Sequence, residues 1–483
     1  MANKSHHGNQ SKDPMNAMCR HQSFEAERIG RFGRMFRKLP PLYTGPGELA
    51  KLGAPNGPMD GGTNPLTTNT FPLGMVFFGQ FIDHDITFDP SSSLDKINHP
   101  EEIENFRTPN LDLDCIFGEG PDDEPFLYVK KDQDHRLLTG ETNKNYGQPE
   151  WLAANDLART ASGTAIIGDS RNDENRILSQ FQLAMIRFYN FLYEKTADAR
   201  PGASAKELYE VARKEASWNY QWIIVNEFLP LIAGEEVVDK ILSEGRKFYT
   251  PCSRPYLPVE FSVAAYRFGH SMVPHKLKLQ PNGPKLNLFS RELGFGFSPI
   301  TDESQIVDWE AFFNFGSGQE QKANNLDTKM ASTLLSLPFF PSSNPAEKSL
   351  ATRNMLRANS FLMPSGESLA ERMGRPADEI KRVHDFVKQQ THPYQINLKR
   401  GTPLWFYLLA EAEVLGRKDY DGHKPGEGLG PVGATIVAEV LLGLLELDSS
   451  SFFGNNRNWQ PNLTADGTMS MKTLLESAML VAA

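Results

Sequence analysis

The sequence predicts a mainly α fold, a single large helical domain with long loops and little β structure. Three observations carry that expectation. Apolar residues recur three and four apart over long stretches, as at Ile177, Phe181, Met185, Phe188 and Phe191. The 483 residues contain no internal repeat and no linker polar enough to mark a domain boundary. A hydrophobic fraction of 39%, with 10% aromatic residues, suffices for a large buried core.

In chain order, residues 1–20 read as a disordered tail, followed by one domain over 21–483. Met1 to Pro14, with His6 and His7, lacks the apolar core of a secretory signal, so a reducing cytoplasm or export by a non-classical route is expected. Lys38 to Thr63 is broken by Pro40-Pro41, Gly45-Pro46-Gly47 and Gly61-Gly62, and reads as a wrapping arm without regular elements. Helical patterning begins near Leu73. Asp89 to Glu124, rich in Pro, Asn, Asp and Ser, reads as a long loop. A helix over Glu174 to Lys195, with Asp169 or Ser170 as its cap, follows.

Buried helices are expected at Leu208 to Leu229 and Val259 to Met272, with loop or a short hairpin over Gln280 to Phe297. Helices return at Glu320 to Leu335, Pro376 to Gln389, Leu404 to Leu415 and Val432 to Leu445. The longest apolar run, Pro431 to Leu445, carries Glu439 and two glycines. It is shorter than the ~20 residues a membrane span needs, so none is expected.

A net charge of −10 without any block of Lys and Arg argues against a nucleic-acid partner. Cys19, Cys115 and Cys252 are an odd set without CxxC spacing, which indicates neither a disulfide framework nor a zinc site.

The chemistry concentrates in three short clusters. In Phe77-Phe78-Gly79-Gln80-Phe81-Ile82-Asp83-His84-Asp85, Gln80, Asp83 and His84 share a helix face while the phenylalanines pack the other sides. Polar groups at such depth need partners. A lone histidine there would more often satisfy a core carbonyl. Two further clusters change the balance: Gly168-Asp169-Ser170-Arg171-Asn172-Asp173-Glu174 and Tyr266-Arg267-Phe268-Gly269-His270. Together the three supply two histidines, two arginines and a spare glutamate.

This set, in this order, resembles the animal-type haem peroxidases of the peroxidase-cyclooxygenase superfamily, and looks closest to bacterial members. The resemblance runs from about Arg31 to the C-terminal region. It implies a haem enzyme that reduces hydrogen peroxide through compound I, oxidises a halide, thiocyanate or small aromatic donor, and serves in the response to oxidative stress. The match to GQ-x-x-DHD implies His84 as distal base and places Gln80 beside it; the match to R-x-x-E implies Arg171 as the cation that stabilises the departing oxygen. Asp83 and Glu174 align with the carboxylates that family members esterify to haem, so a haem b-derived, ester-linked cofactor is implied. Asn175 stands where one mammalian member has the methionine of a sulfonium link, and no such link is expected.

The match to R-x-G-H implies His270 as iron ligand, with Arg267 toward a haem propionate. Asn354 would accept the ligand's other N–H, and Arg357 would meet the second propionate. Asn105 to Gly118 resembles the family's calcium loop, which implies Thr108, Asn110, Asp112 and Asp114 as ligands together with Asp85. Asp114 departs from the family's more common serine. His275 has a structural role on this reading. The alternative is a haem-dependent fatty-acid dioxygenase, whose radical tyrosine lies three residues before the proximal histidine. That position is Arg267 here; Tyr266 is one residue further away, turned by roughly 100° on a helix.

Overall fold

Helix α1 (Leu73–Ile86) is apolar on nearly every face, and all its residues are buried except Gln80 and Asp83. A helix of that composition must lie inside the protein. The computed structural model, which describes residues 30–63, 65–129, 134–251, 254–293 and 296–480, places it in the hydrophobic core. The expected tail, Cys19 and Cys252 lie outside the described residues.

Helix α2 (Arg176–Ala199) packs against α1 through Phe181, whose ring centroid is 5.1 Å from Phe81 and 5.8 Å from Phe78. Tyr220 of α3 (Ala205–Ile223) meets both phenylalanines edge-on, and Phe228 completes the cluster 5.6 Å from Phe78. Each such aromatic pair is worth ~0.5–1.5 kcal/mol beyond its burial. The remaining long helices are α4 (Glu235–Glu244), α5 (Leu350–Ser360), α6 (Ala377–Thr391), α7 (Leu404–Val414), α8 (Pro431–Leu447) and α9 (Met471–Leu480). Helix α8 holds the longest apolar run; its buried Glu439 accepts the backbone N–H groups of Lys247, Phe248 and Tyr249. Among the described residues no helix is long and apolar enough to cross a membrane.

Strands are short. β1 (Gly30–Gly33) lies between β3 (Glu104–Asn105), antiparallel, and β4 (Leu257–Pro258), parallel. β2 (Thr67–Pro72) pairs with β7 (Lys322–Asn324), and hairpins join β5 (Lys276–Leu277) to β6 (Leu286–Asn287) and β8 (Arg417–Asp419) to β9 (Gly422–Lys424).

Several expected elements differ. Glu320 to Leu335 is no helix: it forms β7 and a 3-10 turn over Ser332–Leu335. Long-range partners claim its backbone, since Leu73 N–H donates to Gln321, Asn325 N–H to Leu66, Leu326 N–H to Gly426 and Met330 N–H to Met59. Lys38 to Thr63 does contain a regular element, the helical turns Pro46–Leu52 entered through Pro46. Helix α2 starts two residues late and is capped by Asn175, which accepts the Leu178 N–H at 2.9 Å, while Asp169 caps the separate 3-10 turn Ser170–Asp173. Val259 to Met272 is broken into a π turn (Glu260–Ala264), a 3-10 turn (Ala265–Phe268) and a short helix (Gly269–Met272).

Candidate active site

The two incompletely buried residues of α1 mark where its polar face opens. Gln80 Nε2 donates to the Glu174 carboxylate, and the charge of Asp83 is felt at His84, Glu174 and Arg267. Burial pushes the Glu174 carboxyl up to about 7, against the pull of Arg171. Gly296, at φ +66°, lets the chain fold over Glu174: a Cβ there would lie 2.3 Å from the Glu174 carbonyl oxygen. Phe297 N–H then donates to the Asp173 carbonyl at 2.7 Å.

His84 is buried, with Nδ1 2.8 Å from Asn172 Oδ1. Burial and the Arg171 cation lower its pKa, so the imidazole is neutral at pH 7. Arg171 sits on the 3-10 turn rather than on α2. Its Nη2 donates to the His84 carbonyl at 2.9 Å and to Asp169 at 2.7 Å, and its guanidinium lies 4.6 Å over the Phe88 ring. Burial alone would raise the Asp169 carboxyl, but hydrogen bonds and charge from Arg171 and Arg107 hold it well below the usual range.

On the facing side, α1 comes close to the broken segment: a Cβ on Gly79 would stand 3.3 Å from Phe228 and 4.0 Å from Phe268. His270 and Arg267 lie deep yet keep part of their surface open. Burial, with Arg267 alongside, pushes the His270 pKa down to about 3, so this ring is also neutral. Burial and the Arg357 charge bring Arg267 down to about 10; its donors reach the Ser262 carbonyl and Asn354 Oδ1, and no carboxylate forms an ion pair with it among the described residues. Arg357, one turn from Asn354 on α5, donates to Ser92 and lies 3.7 Å from Asp89.

Asn354 meets His270 as expected, but with the amide turned the other way. Its Nδ2 faces His270 Nδ1 at 2.8 Å because Oδ1 is taken by Arg267 Nη1 at 3.4 Å. Tyr266 stacks on Phe261 with centroids 4.5 Å apart, and its hydroxyl is buried without a hydrogen bond among the described residues.

A third group lies directly behind His84. Carboxylate oxygens of Asp85, Asp112 and Asp114 come within 4.8 Å of one another. Leu113 N–H and the Cys115 thiol donate to Asp85 at 3.3 and 3.4 Å, and Thr108 bonds to Asp112 at 3.1 Å through its hydroxyl. Asn110 is half-buried on the same loop. Burial raises all three carboxyls, reinforced by neighbouring carboxylates and opposed by Arg213 at Asp112 and by Arg107, 3.6 Å from Asp114. Such a cluster of hard oxygens with raised pKa values suits a divalent cation.

Sequence reasoning missed Asn172, Gln182 and Arg107, and took Asp169 only as a cap. The one signal for Arg107 was a lone cation opening the acidic stretch Arg107 to Asp114. Nothing local distinguished Gln182 from other polar residues on α2.

The sequence matches the model of the animal haem peroxidase family over residues 91–393. That span contains Arg171, Glu174, His270, Asn354 and the acidic loop, while Gln80 to Asp85 precede it. A chorion peroxidase of Aedes aegypti is 25% identical over 229 residues, 45% of this chain and 27% of that protein. The chain spans 8% to 31% of the length of the first curated relatives it matches. Peroxidase A of Dictyostelium discoideum shares the fold with a TM-score of 0.64 at 15% identity, covering 94% of both chains. A fatty acid alpha-dioxygenase of Arabidopsis thaliana does so with 0.57 at 15% identity, over 94% of this chain and 76% of that one.

Proposed function

The chain belongs to the animal haem peroxidase family, and from that membership we propose that it reduces hydrogen peroxide at a haem held between His84 and His270, oxidising a halide, thiocyanate or small phenol. The observation that carries this reading is the pair of neutral histidines on packed segments, one accompanied by Arg171 and the other by Arg267. The residues fit the group. A deep guanidinium without a carboxylate, as at Arg267, is costly unless an anion such as a propionate lies against it, and Arg357 would serve the second propionate.

His270 would hold the iron through Nε2, which puts the ring proton on Nδ1 and calls for the Asn354 amide with Oδ1 toward the ring. Asp83 and Glu174 are the carboxyls for ester links to the porphyrin. Once bound, haem supplies the iron at which peroxide is reduced. The protein's own part is proton transfer and charge: His84 takes the proton from the inner peroxide oxygen and returns it to the outer one, while Arg171 stabilises the charge growing there. Gln80 lines the same space. Asp85, Asp112 and Asp114, with Thr108 and Asn110, would hold calcium, and because Asp85 follows His84 the ion would fix the base's backbone.

The second reading is fatty-acid oxygenation, favoured by the buried Tyr266 hydroxyl, which has no hydrogen bond among the described residues, and opposed by Arg267 at the position three before His270. The test supplies the purified haem protein with peroxide and bromide, iodide, thiocyanate or a phenol, and in parallel with linoleate and oxygen. Donor oxidation that depends on peroxide supports the peroxidase; oxygen uptake with linoleate and poor donor turnover would replace it with the dioxygenase.

A further inference from the structure

His84 is joined to a buried chain of amides. Its Nδ1 lies 2.8 Å from Asn172 Oδ1, Asn172 Nδ2 donates to Gln182 Oε1 at 2.8 Å, and Gln182 Nε2 donates to the Cys115 carbonyl at 3.2 Å. Asn172, Gln182 and Cys115 have essentially no exposed surface. The far end of this chain is a backbone carbonyl, which can only accept.

That anchor settles every orientation in turn. Gln182 must turn its NH2 to Cys115, so its oxygen faces Asn172; Asn172 must then turn its NH2 to Gln182, so its oxygen faces His84. An oxygen at Nδ1 places the imidazole proton on Nδ1 and leaves the lone pair on Nε2. We propose that Asn172 and Gln182 are positioning residues that hold His84 in the one tautomer able to take a proton from peroxide.

This rests on His84 being the base. It adds two residues that touch neither peroxide nor haem and that act only through the ring. It also makes Gln182, on a different helix from the histidine, a determinant of the base's competence. Without the Gln182 acceptor, the Asn172 amide has two orientations, and one of them presents an NH2 to Nδ1 and draws the proton to Nε2.

The test uses the haem protein and two ligands that must surrender a proton to a base before binding, hydrogen peroxide and hydrogen cyanide. Cyanide association reads the base without any turnover. Asn172→Leu should slow both associations ~10²-fold, the lower range for loss of general-base catalysis, with the Soret maximum and the urea midpoint of the haem-bound protein as controls. Gln182→Leu should slow both at least ~2-fold, since half or more of the amides then face the wrong way. Combining the two should be no slower than Asn172→Leu alone, because the residues act in series.

Rescue is the sharper arm. In the Gln182→Leu background, Asn172→Asp should raise both rates above those of Gln182→Leu alone and back to the native values, because a carboxylate offers an acceptor either way up. A packing role for Asn172 would be worsened, not rescued, by a buried charge. Normal cyanide association in Asn172→Leu, or no rescue by Asn172→Asp, overturns the proposal while His84→Ala remains slow. If His84→Ala itself binds peroxide and cyanide at native rates, the reading of His84 as base fails, and the proposal falls with it.

Discussion

Asp169→Asn is an isosteric change that removes the anion between two guanidiniums. The Asp169 side chain is 3% exposed and accepts from Arg107 Nε at 3.0 Å, from Arg171 Nη2 at 2.7 Å and from the Arg171 backbone N–H at 2.9 Å. Arg107 and Arg171 are themselves only 10% and 22% exposed. Removing one partner of a buried ion pair costs ~3–5 kcal/mol because the remaining charge stays buried; here Arg171 loses its anion, while Arg107 keeps Asp114 at 3.6 Å. Urea unfolding of the haem-bound protein should show a loss in that range with an unchanged slope.

Asp169 titrates below the usual carboxylate range, so the folded state binds fewer protons than the unfolded one as pH falls. Its contribution is therefore full above the ordinary unfolded value of about 4 and is lost below it. The gap between native protein and variant should narrow on acidification. A loss under ~1 kcal/mol, the scale of an exposed ion pair, or a gap that widens in acid, would refute the reasoning.

Three further outcomes follow from the same geometry. His270→Ala should abolish the Soret band or shift it to that of a differently ligated iron, read by absorbance after adding hemin. Arg171→Ala should slow the reaction with peroxide by ~10²–10³, as removal of an oxyanion donor does, with haem still bound; stopped-flow mixing checks this. Calcium affinity should weaken as pH falls from 8 to 6, because burial and neighbouring carboxylates raise Asp85, Asp112 and Asp114 and bound cation must displace their protons. Calorimetry at several pH values would show it, and Asp85→Asn should flatten the dependence.

The long helices were legible because their periodicity and burial agree: α1, α2, α6, α7 and α8 fall within a few residues of their expected spans, whereas α3 stops at Ile223 and passes into a π turn over Ile224–Phe228. Glu320 to Leu335 misled because Ala323, Leu326, Met330 and Leu334 recur at helical spacing, yet the backbone there is claimed by β2 and by loops that no local pattern reveals. Val259 to Met272 misled differently: Ala264, at φ −127° and ψ −73°, breaks the helix just before Arg267 and His270. The residues of the candidate site were visible as a group only where one short stretch of sequence held them. What joins the clusters was not, since Arg107 reaches Asp169 across 62 positions and Gln182 reaches Cys115 across 67.

The most direct measurement is a hemin titration of the purified protein followed by Soret absorbance, with hydrogen peroxide then added alongside thiocyanate and a phenol. A saturable band at one hemin per chain, followed by donor oxidation that needs peroxide, is the predicted result. Absence of saturable binding, or a haem complex inert to peroxide with every donor, would contradict the assignment of His84, Arg171 and His270 to a peroxidase centre.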